Sequence, residues 1–263
     1  RMAEIVKMAY KLEQHEKALE YLTQLKEIAP HLQNASLAEF LSKEIKEKNT
    51  LDAIESNNFL LRFQGEGDLG IAEDLLEQLE IQYSDLLDQS GISLEKKLQV
   101  ILFKDLEFGG EAAFMPFVEA SFDGKIRLPE KSIVDQENMS KILRHELVHA
   151  MLEAKCQGEV PFWLNEGLAQ WLGGSRITNT KNFPNVTPAG LYKPFLQHTN
   201  PTTIRQYYQA SLYLTQALIE EYSIGEVFTF IERLSDQEDD AFIASFTMEE
   251  SSWIRKKLAE SRI

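Results

Sequence analysis

Apolar residues along this chain recur mostly with the spacing of helices, and strand-like runs are confined to its first half. Residues 1–57 read as helix throughout. Ala3 to Tyr10 lead into a break near Gln14-His15, and the pattern resumes at Ala18-Leu19-Glu20-Tyr21-Leu22 until Pro30 ends it. A less regular helical stretch follows from Leu32 to Ile54. The pattern changes at Asn57-Asn58. Phe59-Leu60-Leu61-Arg62-Phe63, with Gly65 and Gly67 behind it, predicts a strand and a turn. Residues 69–88 return to helical spacing through Ile71, Leu75, Leu76, Leu79, Ile81 and Leu86, and the branched run Leu98–Phe103 predicts a second strand. Ala120-Ser121-Phe122 and Lys125-Ile126-Arg127-Leu128 flank Asp123-Gly124, a pair suited to a tight primed hairpin turn. From about Glu137 nearly everything is helical. A small sheet followed by a helical half is an α+β order.

The first two helices, with the small Ala18 at their crossing and Pro30 at their end, resemble one tetratricopeptide repeat of about 34 residues. A plain helical hairpin packed on the main domain fits the same residues. The chain is therefore read as a helical segment, 1–57, and a second domain, 58–263. The segment is expected to dock partners or position substrate, and the second domain to fold without it. The sequence opens on Arg1 rather than Met, which leaves room for a removed leader and for further repeats upstream, because such repeats bury their faces on neighbours.

With 43% hydrophobic and 10% aromatic residues, 263 residues can bury a substantial core. The net charge of −15, without any Lys/Arg cluster, argues against a nucleic-acid partner. Solubility is the plainer reading of the acidity, and a preference for basic substrates the sharper one. The charge is uneven: residues 1–57 carry 8 Lys/Arg and 10 Asp/Glu, the remainder 19 and 32. No apolar run approaches the roughly 20 residues of a membrane-spanning helix. Cys156 is the single cysteine, so neither an intramolecular disulfide nor a cysteine metal cage can form. That fits a reducing compartment and equally a bacterial periplasm or cell envelope, which is preferred to the cytoplasm.

The chemistry concentrates in His145-Glu146-Leu147-Val148-His149, a His-Glu-x-x-His pattern. Ile142, Leu143, Leu147, Val148, Met151 and Leu152 flank it at helical spacing, and no Gly or Pro interrupts residues 137–156. Residues four apart share a helix face, so both imidazoles can reach one tetrahedral zinc ion at about 2 Å. Glu146 then addresses a water at the metal rather than the metal itself. Two surface histidines are the plainer alternative, and a third ligand decides between them. The metzincin continuation needs Gly and His where Leu152 and Lys155 stand, which excludes that class. Glu153 shares the helix face, but three ligands along one straight helix span about 12 Å and cannot converge. Beyond Gln157-Gly158, Pro161 starts a new helix that can turn Glu166 back towards the histidines, completing a His₂Glu set.

Arg144-His145-Glu146-Leu147-Val148-His149 followed by Pro161-Phe162-Trp163-Leu164-Asn165-Glu166-Gly167-Leu168-Ala169 resembles the gluzincin metallopeptidases. It is most similar to the peptidase MA-like domains of bacterial proteins, which often stand beside tetratricopeptide repeats. The likeness covers roughly residues 58–235 and implies a gluzincin-type domain of small sheet and mostly helical C-terminal half. It places Glu166, in the Asn-Glu-Gly-x-Ala motif, as third zinc ligand. Sixteen residues separate His149 from Glu166, slightly fewer than in thermolysin. The Gly-x-Met-Glu-Asn signature of the large aminopeptidases is absent, so an endopeptidase is expected, acting on peptide or protein substrates.

In such a site Glu146 is the general base that takes a proton from the attacking water and passes it to the leaving amine. Tyr207-Tyr208-Gln209-Ala210-Ser211 resembles the family's Tyr-x-x-Ser helix, which points to Tyr208 as oxyanion stabiliser, with Tyr213 and Tyr207 behind it and His198 a looser candidate. An extended substrate would lie along the Val118–Leu128 segment. Trp163, Trp171 and Trp253 read as packing residues. Two other functions share these residues: a non-catalytic zinc-binding scaffold that uses the N-terminal helices to bind partners, against which an intact Glu146 argues, and hydrolysis of other amides or esters.

Overall fold

Phe59, Leu61 and Phe63 are buried while Leu60 and Arg62 between them are half-buried, the two-residue period of a strand with one face on the core. The computed structural model that shows this describes Ala9 and residues 14–28, 35–65, 69–104, 120–133, 135–156, 160–177, 183–195, 200–234 and 240–261. Among them are helices α1 (His15–Ile28) and α2 (Ala35–Thr50), strands β1 (Asp52–Glu55) and β2 (Phe59–Phe63), helix α3 (Leu69–Ser90), and strands β3 (Leu98–Phe103), β4 (Ser121–Phe122) and β5 (Ile126–Pro129). Helices α4 (Gln136–Cys156), α5 (Phe162–Leu172), α6 (Pro201–Tyr222), α7 (Ile224–Leu234) and α8 (Asp240–Glu260) follow. The fold is α+β, as expected.

The five strands form one mixed sheet in the order β1-β2-β3-β5-β4. β2, β3 and β5 run parallel, and β1 and β4 close the two edges antiparallel. Phe59, Leu61, Val100, Leu102, Ile126 and Leu128 line one face and join the main core with Leu75, Leu79 and Leu86 of α3 and Leu143, Leu147 and Met151 of α4. β5 leads through a short 3-10 turn, Glu130–Ile133, into α4. Asp135 caps that helix by accepting from the backbone N–H groups of Glu137 and Asn138. The sheet therefore serves as the platform on which α4 lies.

Two local expectations change. Residues 52–55 are not the end of a helix but strand β1, paired with β2 in the register Ile54↔Leu61. Glu80 of α3 holds the intervening turn, accepting from Ser56 Oγ, from Asn58 N at 2.9 Å and from Asn58 Nδ2 at 2.7 Å. An available strand edge and this anchored turn outweigh a weak helical pattern. The β4–β5 connection is a three-residue loop, because Phe122 pairs with Ile126, and Gly124 supplies its left-handed residue at φ 89°.

The other sheet face carries Ile101 and Phe103, which pack on Leu51, and a buried charge cluster. Lys125 Nζ lies 2.6 Å from Glu44 and 2.7 Å from Glu47 of α2; Arg127 reaches Glu47 and Asp123, each at 2.7 Å. Glu47 is fully buried and Arg127 nearly so. Helices α1 and α2 have a small core of their own around Ala18, Leu22 and Leu41. No helix of the described residues is long and apolar enough to cross a membrane.

Candidate metal centre

α4 runs unbroken through the motif, and its apolar positions Leu143, Leu147 and Val148 are buried, so the intervening face carries His145 and His149 off the core. Their Nε2 atoms face each other at 3.1 Å with the rings edge to face. Pro161 immediately precedes α5. α5 brings Glu166 Oε2 to 3.6 Å from His145 Nε2 and 3.8 Å from His149 Nε2. Two imidazole nitrogens and a carboxylate oxygen thus converge on one point. A tetrahedral metal site with bonds near 2 Å has ligand–ligand edges of about 3.4 Å, and the three separations bracket that value. Among the described residues these three form a group able to hold a metal ion.

Two details fit a metal better than a plain hydrogen-bonded cluster. Glu166 Oε2 is buried without a hydrogen-bond partner, a costly position for a carboxylate oxygen unless a cation satisfies it. His149 Nδ1 lies 2.7 Å from Asn165 Oδ1, which can only accept, so a metal-ligating His149 would carry its proton on Nδ1 and offer Nε2 to the group. Burial pushes the Glu166 carboxyl up, but His149 and His145 beside it pull harder and hold it below the ordinary range.

Glu146 follows the first histidine yet stays outside the ligand group. It is buried, and that burial raises its pKa to about 7, with the charge of Glu166 adding to the effect and His149 opposing it. A carboxylate poised there can both accept and return a proton near neutral pH. Glu153 is exposed and takes no part in the group.

α6 crosses α5 closely. A Cβ on Gly167 would stand 2.0 Å from Thr215 Oγ1 and 2.6 Å from the Ser211 carbonyl oxygen, so only glycine admits this approach. The crossing brings the Tyr208 carbonyl within 3.0 Å of Gln170 Nε2 on α5. Burial raises the Tyr208 phenol pKa, and the charges of Glu166 and Glu146 raise it further. Its ring packs edge-on against Phe195. Tyr207 instead points into the core, stacked on Phe195, with its hydroxyl accepting from Thr187 N. Tyr213 donates to the Lys257 carbonyl. His198, Val118 and Glu119 lie outside the described residues. Trp163 and Trp253 stack on each other, their Nε1 groups bonded to Glu250 and Glu221, and Trp171 lies under Arg176, so all three pack as expected.

The sequence reading assigned no role to Arg144, whose Nε donates to the Leu172 carbonyl at the end of α5 at 2.9 Å and whose Nη1 lies 3.3 Å from Gln82 of α3. This ties α3, α4 and α5 together one residue before His145. A glycine inside the apolar helix α5 was the available signal for the close crossing. Compared with known proteins, the chain matches no protein-family model and no curated relative.

Proposed function

We propose that this chain is a zinc-dependent metallopeptidase, an endopeptidase in which His145, His149 and Glu166 hold the zinc, Glu146 is the general base and Tyr208 stabilises the oxyanion. The observation that carries this reading is the unpartnered, buried Glu166 Oε2 set against two histidine Nε2 atoms. A His₂Glu set favours zinc, and three protein ligands, as found among the described residues, are the number of a catalytic rather than a structural site. When bound, zinc supplies the Lewis acidity that lowers the pKa of a water and polarises a carbonyl.

The chain's own groups supply the rest. Glu146 accepts the water's proton as it attacks the peptide carbonyl, and returns it to the departing amine. Tyr208 keeps its phenol protonated at neutral pH, because burial and two neighbouring carboxylates oppose its ionisation, so it donates to the developing oxyanion. Among the described residues β4 is the outer strand at its end of the sheet, and its edge offers backbone groups to an extended peptide. A non-catalytic scaffold gains nothing from burying Glu146 beside the ligands.

The test is hydrolysis of an unfolded protein by wild type and Glu146→Gln. Glutamine keeps the shape and cannot accept the proton, so the variant should bind zinc and lose activity by two to four orders of magnitude or more. A variant retaining a tenth of wild-type activity would exclude Glu146 as the base.

A further inference from the structure

The side chain of Gln170, one turn beyond Glu166 on α5, makes two hydrogen bonds to the backbone of residues of the proposed site. Its Nε2 lies 3.1 Å from the Glu166 carbonyl oxygen and 3.0 Å from the Tyr208 carbonyl oxygen. Both partners are acceptors, so the amide orientation is unambiguous: the NH₂ group faces them and donates one proton to each. The two carbonyls belong to the residue that completes the ligand group and to the proposed oxyanion stabiliser. Gln170 thus joins these two residues through a single planar group.

Its place along the crossing matters. Gly167 sits against Ser211 and Thr215 of α6, and three residues on, Gln170 meets Tyr208. These are two successive levels of one antiparallel contact. Close packing at Gly167 fixes how near the helices lie, but apolar and van der Waals contact tolerates sliding along the axis. The 3.0 Å bond to the Tyr208 carbonyl loses strength steeply when misaligned, and the 3.1 Å bond within α5 holds the amide in place for it, so the register is fixed. A leucine or methionine at 170 would fill the half-buried space and leave the register free.

We propose that Gln170 is a positioning residue that sets Tyr208 against Glu166, donating one amide proton to the Glu166 carbonyl on its own helix and the other across the α5–α6 crossing to the Tyr208 carbonyl. The inference rests on the reading of Tyr208 as oxyanion stabiliser. It requires that Gln170 act through Tyr208, which a general contribution to stability would not.

A double-mutant cycle tests it, with Gln170→Met and Tyr208→Phe alone and combined in the zinc-loaded protein. Gln170→Met should lower kcat by about 10- to 100-fold, the cost of a misplaced catalytic group, with KM and zinc affinity nearly unchanged. Placed in the Tyr208→Phe background it should cost nothing more. In the metal-free protein, the ¹⁹F resonance of 3-fluorotyrosine introduced at position 208 should shift in Gln170→Met. If Gln170→Met does not fold, Gln170→Glu keeps the shape and exchanges donors for acceptors, and the same loss and the same non-additivity are expected of it. Additive losses, or an unchanged kcat with an unmoved resonance, overturn the inference while leaving Tyr208 in place. Full activity of Tyr208→Phe overturns the parent reading and this inference together.

Discussion

Replacing Gly167 by alanine adds one methyl group to α5 at its closest approach to α6. The new Cβ would stand 2.6 Å from the Ser211 carbonyl oxygen, where ordinary contact begins at 3.4 Å, and 2.0 Å from Thr215 Oγ1. Thr215 can rotate its side chain, whereas Ser211 O is backbone and moves only with its helix. Relief therefore needs α6 to retreat by about 0.8 Å, the difference between those two distances. Two effects on stability oppose each other. Alanine gains about 1 kcal/mol over glycine in a helix interior, and overpacking costs about 1–3 kcal/mol. A net loss of up to about 2 kcal/mol should lower Tm by a few degrees in a chain of this size. The effect on turnover should be far larger, because the retreat carries Tyr208 away from Glu166 and a misplacement near 1 Å can cost about 100-fold. Thermal melts beside kcat and KM on an unfolded substrate measure both. A variant with wild-type kcat and a Tm raised by the helix-propensity gain would refute the close crossing and the placement of Tyr208 derived from it.

Asn165→Ala should weaken zinc binding by roughly 10- to 100-fold, since His149 loses the acceptor that orients its ring; chelator competition measures this, and an unchanged affinity removes Asn165 from that role. Glu47→Ala leaves Arg127 and Lys125 buried beside a missing partner, and urea unfolding should show a loss of about 3–5 kcal/mol. For the same reason a chain beginning at residue 58, which lacks β1, Glu44 and Glu47, should aggregate or melt without cooperativity; a soluble, cooperative product would instead show residues 1–57 to be a separate module. Burial raises the pKa of Glu250, with the hydrogen bonds from Trp163 and Tyr192 opposing. A raised folded-state pKa means stability that is present below the ordinary glutamate value of 4.5 and lost as pH rises through the raised value. Relative to wild type, Glu250→Gln should therefore gain in Tm as pH rises from 4.5 towards 7, and a constant difference would contradict it.

The strands at 59–63 and 98–103 and the helix at 136–156 were legible because burial imposes their periods directly on the sequence. His145, His149 and Glu166 were legible too, since a helix turn fixes the first pair and the donor chemistry of zinc narrows the third. β1 was not, because Asp52-Ala53-Ile54-Glu55 is a strand only by virtue of the edge that β2 presents. The cluster of Glu44, Glu47, Lys125 and Arg127 was not legible: the pairing of Glu47 with Lys125 and Arg127 spans 78 and 80 residues of sequence and brings α2 onto the sheet, which no local pattern announces. The roles of Asn165 and Gln170 depend on which side of α5 meets α4 and which meets α6, and that follows from packing rather than from spacing.

The central claim is that two imidazoles and the Glu166 carboxylate hold one zinc ion. Chelator-competition titration of wild type and Glu166→Ala tests it most directly, because it reads binding without presuming a substrate. The account predicts one equivalent of zinc bound tightly by wild type, and an affinity at least tenfold weaker once Glu166 is gone. Equal affinity in the two proteins would contradict it, and would leave the buried Glu166 oxygen without an explanation.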